Sequence, residues 1–314
     1  MLARALLLVS HGTVDDLGDL EAFVTNVRRG QRPAADLVAE LRRRYEAIGG
    51  QSPLNAIDAE LARKLEARLG VRVAWANRLW RPYVREVMAD LVDDGAASAA
   101  SRTTRVALLP LAQHSAHVYA NDARQVAAGL DVELRCAENW GERADLCAAF
   151  AKRIRAALAV LADSSRITVI LTAHSLPKAI VDRGDPYERD VRSAAEAIAA
   201  KVRSEIARDV RFAVAFQSQG MSAPGPDGRP LEWLGPELRT ALDEAAARGD
   251  GSVVLAPVGF LADHVEILYD LDIEARAMAR ERNLQYVRAA SLNADDDFVD
   301  VLSAIARPLL DAPA

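Results

Sequence analysis

The sequence contains very little cysteine. Its two cysteines, Cys136 and Cys147, form no metal-binding pattern with histidine. They are also too few to hold an iron–sulfur cluster through cysteine thiolates, so no such cluster is expected. We therefore expect two reduced thiols and a cytoplasmic protein.

Several other features are missing, and each absence argues against a class of protein. The net charge of −6 argues against a nucleic-acid partner, because proteins that bind nucleic acid present an excess of Lys and Arg. No run of about 18 apolar residues is present, so no transmembrane segment is expected. The sequence has no dinucleotide-binding glycine motif, no Walker-type Gly-Lys-Ser/Thr and no Gly-x-Ser-x-Gly. Nucleotide cofactors and a hydrolase of that last type are therefore disfavoured.

Two kinds of apolar segment alternate along the chain. Short β-branched runs such as Ile167–Thr172 predict strands, and longer amphipathic stretches such as Leu54–Leu69 predict helices. Apolar strands that alternate with helices form parallel sheets covered on both faces, so the fold class is α/β. The pattern begins again near residue 167, which predicts two similar doubly wound, Rossmann-like domains, residues 1–145 and 146–314, with a cleft between them. The last helix, Phe298–Leu310, could pack on the first domain.

The stretch from Val253 to Ala275 carries the most informative pattern of charge. It begins as a buried strand, and Asp263 is expected to cap the helix that follows. Glu266, Asp270 and Glu274 then recur every four residues, which places three carboxylates on one face of that helix. Like charges at this spacing repel, so the pattern favours a path for cations. A solvated acidic face is the alternative.

All five histidines follow predicted strands closely. They are His11, His114, His117, His174 and His264. In open parallel sheets, ligands bind beside the carboxyl ends of the strands. The grouping therefore favours a binding site between the two domains.

Three blocks of residues in the second half resemble the ferrochelatase family, enzymes that insert ferrous iron into a porphyrin. They are TAHSLP (172–177) with GDPY (184–187), then FQS (216–218) with WLGP (233–236), and PVGF (257–260) with DHVEILYD (263–270). The blocks keep their order, and the match covers nearly the whole chain. The resemblance implies that His174 and Glu266 face the centre of the ring. His174 would accept a proton or hold iron, and Glu266 would bind iron or relay the proton.

The first half resembles the soluble ferrochelatases that metallate coproporphyrin III, which are usually monomeric. The matching residues are RRG (28–30), RYEAIGG (44–50) and SPL (52–54). The resemblance implies that Arg28 and Arg29 bind the substrate propionates, and that Ser52 and Tyr119 add hydrogen bonds. It also implies an outer site for a hydrated divalent cation such as Mg²⁺, formed by Asp270, Glu274 and Arg44.

One position departs from this pattern. The coproporphyrin enzymes usually carry tyrosine where this chain has His11, a residue near the metal on one face of the macrocycle. Imidazole is also a competent iron ligand, so His11 is expected to be an axial ligand on the face opposite His174. The alternative is that His11 only caps the turn after the first strand, with a hydrogen bond near Thr13.

The resemblance thus implies a lyase of haem biosynthesis whose substrates are Fe²⁺ and a porphyrin, with coproporphyrin III favoured and no prosthetic group required. Three alternatives remain open. The enzyme could use protoporphyrin IX and form protohaem, or it could insert cobalt or nickel into another tetrapyrrole. The chain could also be a porphyrin- or haem-binding protein without enzymatic activity.

Overall fold

The described residues form two compact units along the chain. The computed structural model describes residues 3–98, 103–161, 166–219 and 231–311. The first unit runs to Trp140 and resumes at Asn293, and the second covers Gly141–Leu292. The chain therefore divides between Trp140 and Gly141, and its C-terminal segment groups with the first unit by its contacts.

Each unit contains a parallel four-stranded sheet. In the first unit the strand order is β2-β1-β3-β4, and in the second it is β6-β5-β7-β8. The strands are β1 (Ala3–Ser10), β2 (Arg72–Asn77), β3 (Thr104–Pro110), β4 (Val132–Cys136), β5 (Ile167–His174), β6 (Arg211–Gln217), β7 (Ser252–Ala256) and β8 (Gln285–Arg288). All neighbouring strands within these sheets run parallel. The predicted α/β class with two Rossmann-like sheets is confirmed.

Helices connect the strands. They are α1 (Leu20–Val27), α2 (Ala35–Ala47), α3 (Leu54–Leu69), α4 (Val84–Ser98), α5 (Ala116–Ala127), α6 (Ala144–Ala159), α7 (Lys178–Val181), α8 (Tyr187–Glu205), α9 (Leu238–Ala247), α10 (Val265–Leu268), α11 (Arg276–Glu281) and α12 (Asp296–Asp311). The central strands are apolar at successive positions because both of their faces are covered. Leu6, Leu7 and Leu8 of β1, for example, are fully buried. Within the part of the chain described, no helix has the length and apolar composition needed to cross a membrane.

The terminal helix α12 completes the core of the first unit. It packs on α3 and β3. Phe298 is fully buried, and its ring stacks on Trp140 with the centroids 6.4 Å apart. The Arg105 guanidinium donates a hydrogen bond of 3.1 Å to the carbonyl oxygen of Leu310. These contacts explain why the end of the chain belongs to the first unit.

The region after β7 differs from the single helix that the sequence predicts. The α-helix α10 covers only Val265–Leu268, and a π-helix, Asp270–Ala275, separates it from α11. The amide of Glu274 donates to the carbonyl of Tyr269 at 3.0 Å, which is the wider hydrogen-bond spacing of a π-turn. In such a turn, residues four apart in the sequence do not lie directly above one another. The prediction that the three carboxylates share one face of one α-helix is therefore wrong.

Candidate active site

The ends of β5 and β7 lie side by side at the centre of the second sheet. The chain leaves β5 toward β6 on one side and leaves β7 toward β8 on the other, so this is the switch point where parallel sheets bind ligands. A Cβ atom at Gly259 would lie 2.4 Å from the Cβ atom of Ala173. Glycine is thus required where the chain after β7 crosses the end of β5.

His174 is the last residue of β5 and has a defined ring orientation. Its Nδ1 contacts the carbonyl oxygen of Ser175. Because a carbonyl oxygen only accepts hydrogen bonds, Nδ1 carries the proton and the neutral ring has its lone pair on Nε2. The hydroxyl of Tyr187 donates to the carbonyl oxygen of His174 at 2.9 Å, which fixes the backbone of the same residue.

The Glu266 carboxylate lies between two imidazoles. Its Oε2 is 3.6 Å from Nε2 of His174 and 3.6 Å from Nε2 of His264. The Nδ1 of His264 faces the carbonyl oxygen of Ala262 at 3.1 Å, so both rings direct Nε2 at the carboxylate. The sequence interpretation placed His174 and Glu266 together and grouped His264 only with the other histidines that follow strands, without a role of its own. Its position two residues before Glu266 in the sequence was the available signal.

The Glu266 carboxylate and the two imidazoles interact electrostatically. Burial disfavours the charged imidazole of His174, but the Glu266 carboxylate outweighs that effect and raises the pKa of His174. Burial likewise favours the neutral acid at Glu266, but His174 and then His264 hold the pKa of Glu266 well below its usual range. The side chains of His174 and Glu266 still expose 33% and 37% of their surface. The group is therefore accessible to a ligand.

Phe260 forms an apolar wall beside both imidazoles. The centroid of its ring is 6.4 Å from that of His174 and 5.2 Å from that of His264. An aromatic ring next to two imidazoles limits their rotation and offers an apolar surface to a bound molecule.

Asp270 is held by the residues that follow β6. It is buried, and it accepts a hydrogen bond from the hydroxyl of Ser218, whose φ of 56° lies in the left-handed region. The side-chain Nε2 of Gln217 donates to the carbonyl oxygen of Glu266 at 3.2 Å. Glu274 is partly exposed. The FQS block thus supports the backbone and one carboxylate of the segment after β7.

The predicted cap of the helix after β7 is wrong. His264, not Asp263, stands at the N-cap of α10 and makes no side-chain capping bond. The Asp263 carboxylate instead accepts hydrogen bonds from Ser291 at 2.7 Å and from Arg288 at 3.1 Å. The Arg288 guanidinium and the Ser291 hydroxyl thus bind the carboxylate that was expected to cap the turn.

The structure contains no ready-made metal cluster in the regions that it describes. Within residues 3–98, 103–161, 166–219 and 231–311, no three His, Cys, Asp or Glu side chains are arranged to hold a metal ion. The roles of His174, Glu266, Asp270 and Glu274 toward a metal therefore stay predictions.

In the first unit, His11 follows β1 and its side chain is exposed. The carbonyl oxygen of His11 accepts a hydrogen bond from the amide of Leu79 at 3.1 Å. The hydroxyl of Thr13, which the alternative interpretation connected with His11, is 2.7 Å from the hydroxyl of Tyr45. The role of His11 as an axial ligand stays a prediction.

The two adjacent arginines of the first unit differ in their surroundings. Arg28 is partly buried, and its Nε has no hydrogen-bond partner among the described residues. Arg29 is exposed with a φ of 56°. A buried N–H without a partner is costly, and the predicted role of both arginines toward propionates stays a prediction.

Arg44 has an ion pair within its own helix. Its Nε lies 2.8 Å from Oε1 of Glu40. Hydrogen bonds from Arg43 and then Arg44 lower the pKa of Glu40 to about 2. Arg44 is therefore already engaged with a carboxylate, and its part in an outer cation site stays a prediction.

Ser52 and Tyr119 are both buried. The Ser52 hydroxyl accepts a bond of 3.4 Å from the amide of Leu54, at the start of α3. The Arg78 guanidinium lies 5.3 Å from the centroid of the Tyr119 ring, and burial raises the pKa of Tyr119 to about 12. With this raised pKa the phenol stays protonated and available as a donor. Tyr119 also lines a cavity of about 330 Å³ in the first unit.

Comparison with known proteins agrees with these features. A family model described as ferrochelatase matches residues 3–309. A ferrochelatase of Thermus thermophilus is 34% identical over 95% of this chain and 96% of its own length. A coproporphyrin III ferrochelatase of Anoxybacillus flavithermus is 32% identical over 96% of this chain and 94% of its own length.

Solved structures with this fold include chelatases. The structure of SirB from Bacillus subtilis with Fe³⁺ matches with a TM-score of 0.61 at 14% identity, covering 99% of this chain and 96% of that one. At this identity the likeness concerns the fold alone. The family model and the curated relatives extend over nearly the whole sequence. This chain belongs to the ferrochelatase family, enzymes that insert iron into a porphyrin.

Proposed function

We propose that this chain inserts Fe²⁺ into coproporphyrin III, and that His174, His264 and Glu266 carry out the insertion. The observation that supports this chemistry most directly is the Glu266 carboxylate, with one imidazole Nε2 at 3.6 Å on either side. Insertion must remove two pyrrole protons and deliver one divalent ion. A carboxylate flanked by two imidazoles supplies both proton acceptors and iron ligands.

His174 is the proposed proton acceptor. Its Nδ1–H is engaged with the Ser175 carbonyl, so the ring gains one pyrrole proton at Nε2, releases it to solvent through its exposed side and then accepts the second. The resulting imidazolium then donates from Nδ1 to the carbonyl and lies beside the Glu266 carboxylate. Both neighbours stabilise the charged ring, which is the physical cause of its raised pKa.

Glu266 and His264 are the proposed first ligands of the incoming iron. A ferrous ion accepts carboxylate and imidazole donors. Asp270 adds a second carboxylate in the same segment, close to Ser218. Together with Glu274 and Arg44, it forms the proposed outer site for a hydrated cation such as Mg²⁺.

Coproporphyrin III is the proposed substrate because of the polar groups in the first unit. Coproporphyrin III has four propionates, and protoporphyrin IX has two. Arg28 has a buried Nε without a partner among the described residues, and Arg29 presents an exposed guanidinium next to it. Ser52 and the protonated phenol of Tyr119 are the proposed neutral donors to these carboxylates. Relatives named coproporphyrin III ferrochelatase, 30–32% identical to this chain, support the same substrate.

Anaerobic insertion of Fe²⁺ into coproporphyrin III and protoporphyrin IX, measured side by side, tests the proposal. Each charge-assisted hydrogen bond contributes roughly 1.5–3 kcal/mol before desolvation. We therefore expect a clear preference for coproporphyrin III in kcat/KM. Equal or better use of protoporphyrin IX would reject the proposed substrate while leaving the insertion chemistry intact. Binding of either porphyrin without turnover would reject the chemistry itself.

A further inference from the structure

The segment that carries the proposed insertion residues is irregular. Residues 263–275, named here the carboxylate segment, contain an extended His264, the short helix α10 and a π-helix. The backbone hydrogen bonds of this segment change spacing along its length, from the α-type bond between Tyr269 and Val265 to the wider bond between Glu274 and Tyr269, so they do not form one continuous helix. The position of Glu266 between two imidazoles must therefore be fixed by contacts with other parts of the second unit.

One arginine outside the carboxylate segment contacts it at two places. Arg288 is the last residue of β8, and its side chain is only 15% exposed. Its Nε donates to Oδ1 of Asp272 at 2.8 Å, and its NH1 donates to Oδ1 of Asp263 at 3.1 Å. These carboxylates lie on either side of Glu266 in the sequence. A single planar guanidinium therefore joins both ends of the turn that presents Glu266.

Neighbouring side chains complete this attachment. The Ser291 hydroxyl donates to the same oxygen of Asp263 at 2.7 Å. The hydroxyl of Tyr286, two residues before Arg288 and on the same side of β8, donates to the carbonyl oxygen of Leu271 at 2.7 Å. The end of β8 thus forms a polar support beneath the carboxylate segment, and Arg288 is the only cation among these three donors.

We propose that Arg288 is a positioning residue for iron insertion. By joining Asp263 to Asp272, it holds the turn of α10 so that the Glu266 carboxylate lies between His174 and His264. Without the guanidinium, the two aspartates repel each other and the turn relaxes. The inference rests on the proposed role of Glu266. A displacement of about 1 Å at reacting groups can cost on the order of 10²-fold in rate.

Steady-state insertion by Arg288→Met tests this role, with Arg282→Met as the matched control. Arg282 is equally buried, with 14% of its side chain exposed, and pairs with Asp243 outside the carboxylate segment. We expect Arg288→Met to lower kcat by about 10- to 100-fold, with the KM for porphyrin within about twofold of wild type. Arg282→Met should lose comparable stability and keep its kcat.

Two further variants make the test independent of folding. Arg288→Lys keeps the charge but presents one compact ammonium, so its kcat should remain about fivefold or more below wild type. Asp263→Asn keeps the shape and removes one side of the bridge, so it should lower kcat in the same direction. The stoichiometry of porphyrin binding, measured by fluorescence quenching, reports the folded fraction of each variant.

Three results would overturn the inference: a folded Arg288→Met enzyme with wild-type kcat, full recovery by Arg288→Lys, or an equal loss in Arg282→Met. Glu266→Gln in the same assay separates this failure from that of the proposed function. Wild-type turnover in Glu266→Gln would reject the insertion chemistry. If Glu266→Gln loses turnover and Arg288→Met keeps wild-type turnover, only the positioning role is rejected.

Discussion

Replacement of Glu266 by glutamine should lower both turnover and stability, and the loss of stability should depend on pH. The change keeps the shape of the side chain and removes its negative charge. Two unit charges at the observed 3.6 Å attract each other by about 5 kcal/mol at an effective dielectric constant of 20. Because His174 and Glu266 expose about a third of their side chains, screening reduces this energy to the order of 1 kcal/mol.

The direction of the pH effect follows from the raised pKa of His174. A group whose pKa is higher in the folded protein contributes stability that is fully present below its unfolded pKa, about 6.5 for histidine. That stability is lost as the pH rises through the folded value. Glu266 is ionised throughout this range, because its own pKa is well below the usual value. The glutamine variant should therefore lose more stability at pH 6 than at pH 9.

Two measurements check this prediction. Urea unfolding of wild type and Glu266→Gln at pH 6 and pH 9 should show a difference in the free energy of unfolding that is larger at pH 6 by the order of 1 kcal/mol. Turnover of Fe²⁺ with porphyrin should fall by about 10²–10⁴-fold, the usual contribution of an acid–base group. An equal loss of stability at both pH values, or turnover close to wild type, would refute the assigned charge state and role.

Four further outcomes are expected. Arg29→Ala should reduce the preference for coproporphyrin III over protoporphyrin IX in kcat/KM, because it removes a donor to the additional carboxylates; an unchanged ratio would remove Arg29 from the substrate site. The absorption spectrum of the ferric product complex should be of the histidine-ligated type and shift toward a phenolate type in His11→Tyr; an unchanged spectrum in His11→Tyr and His11→Ala would support a purely structural His11. Burial raises the pKa of Cys147 to about 11, so iodoacetamide at pH 8 should alkylate Cys147 slowly until the protein unfolds, and rapid labelling of native protein would contradict this. Phe298→Ala should lower the free energy of unfolding by about 3–5 kcal/mol, and a loss below about 1 kcal/mol would mean that α12 contributes little to the core.

The fold could be predicted from the sequence because buried parallel strands have a strong local signal. Helix α3 has the expected bounds, Leu54–Leu69, because an amphipathic pattern spans it and Pro53 and Gly70 stand at its two ends. The sequence predicts helices from Ala123 and Ala194, but α5 begins at Ala116 and α8 at Tyr187. The first turn of α8 is mostly charged, so no apolar periodicity marks its start.

Of the candidate site, the sequence indicated the meeting of His174 and Glu266 but not the geometry of the segment that carries Glu266. The blocks that carry His174 and Glu266 indicated that they would meet, and the structure brings them together. The π-helix Asp270–Ala275 could not be predicted, because no local sequence pattern marks its extra residue. For the same reason the capping role expected of Asp263 was wrong. A distant cation, Arg288, competed for that carboxylate, and no local pattern reports such a contact.

The position of α12 has a consequence for synthesis of the protein. The second unit is inserted into the first, which ends only with residues after Asn293. During translation, all of Gly141–Leu292 leaves the ribosome before Phe298 can fill its place beside Trp140. The second unit can therefore fold while the first unit, whose sequence is not yet complete, still exposes its core. Chains that stop before Asp296 should expose apolar surface that attracts chaperones and proteases.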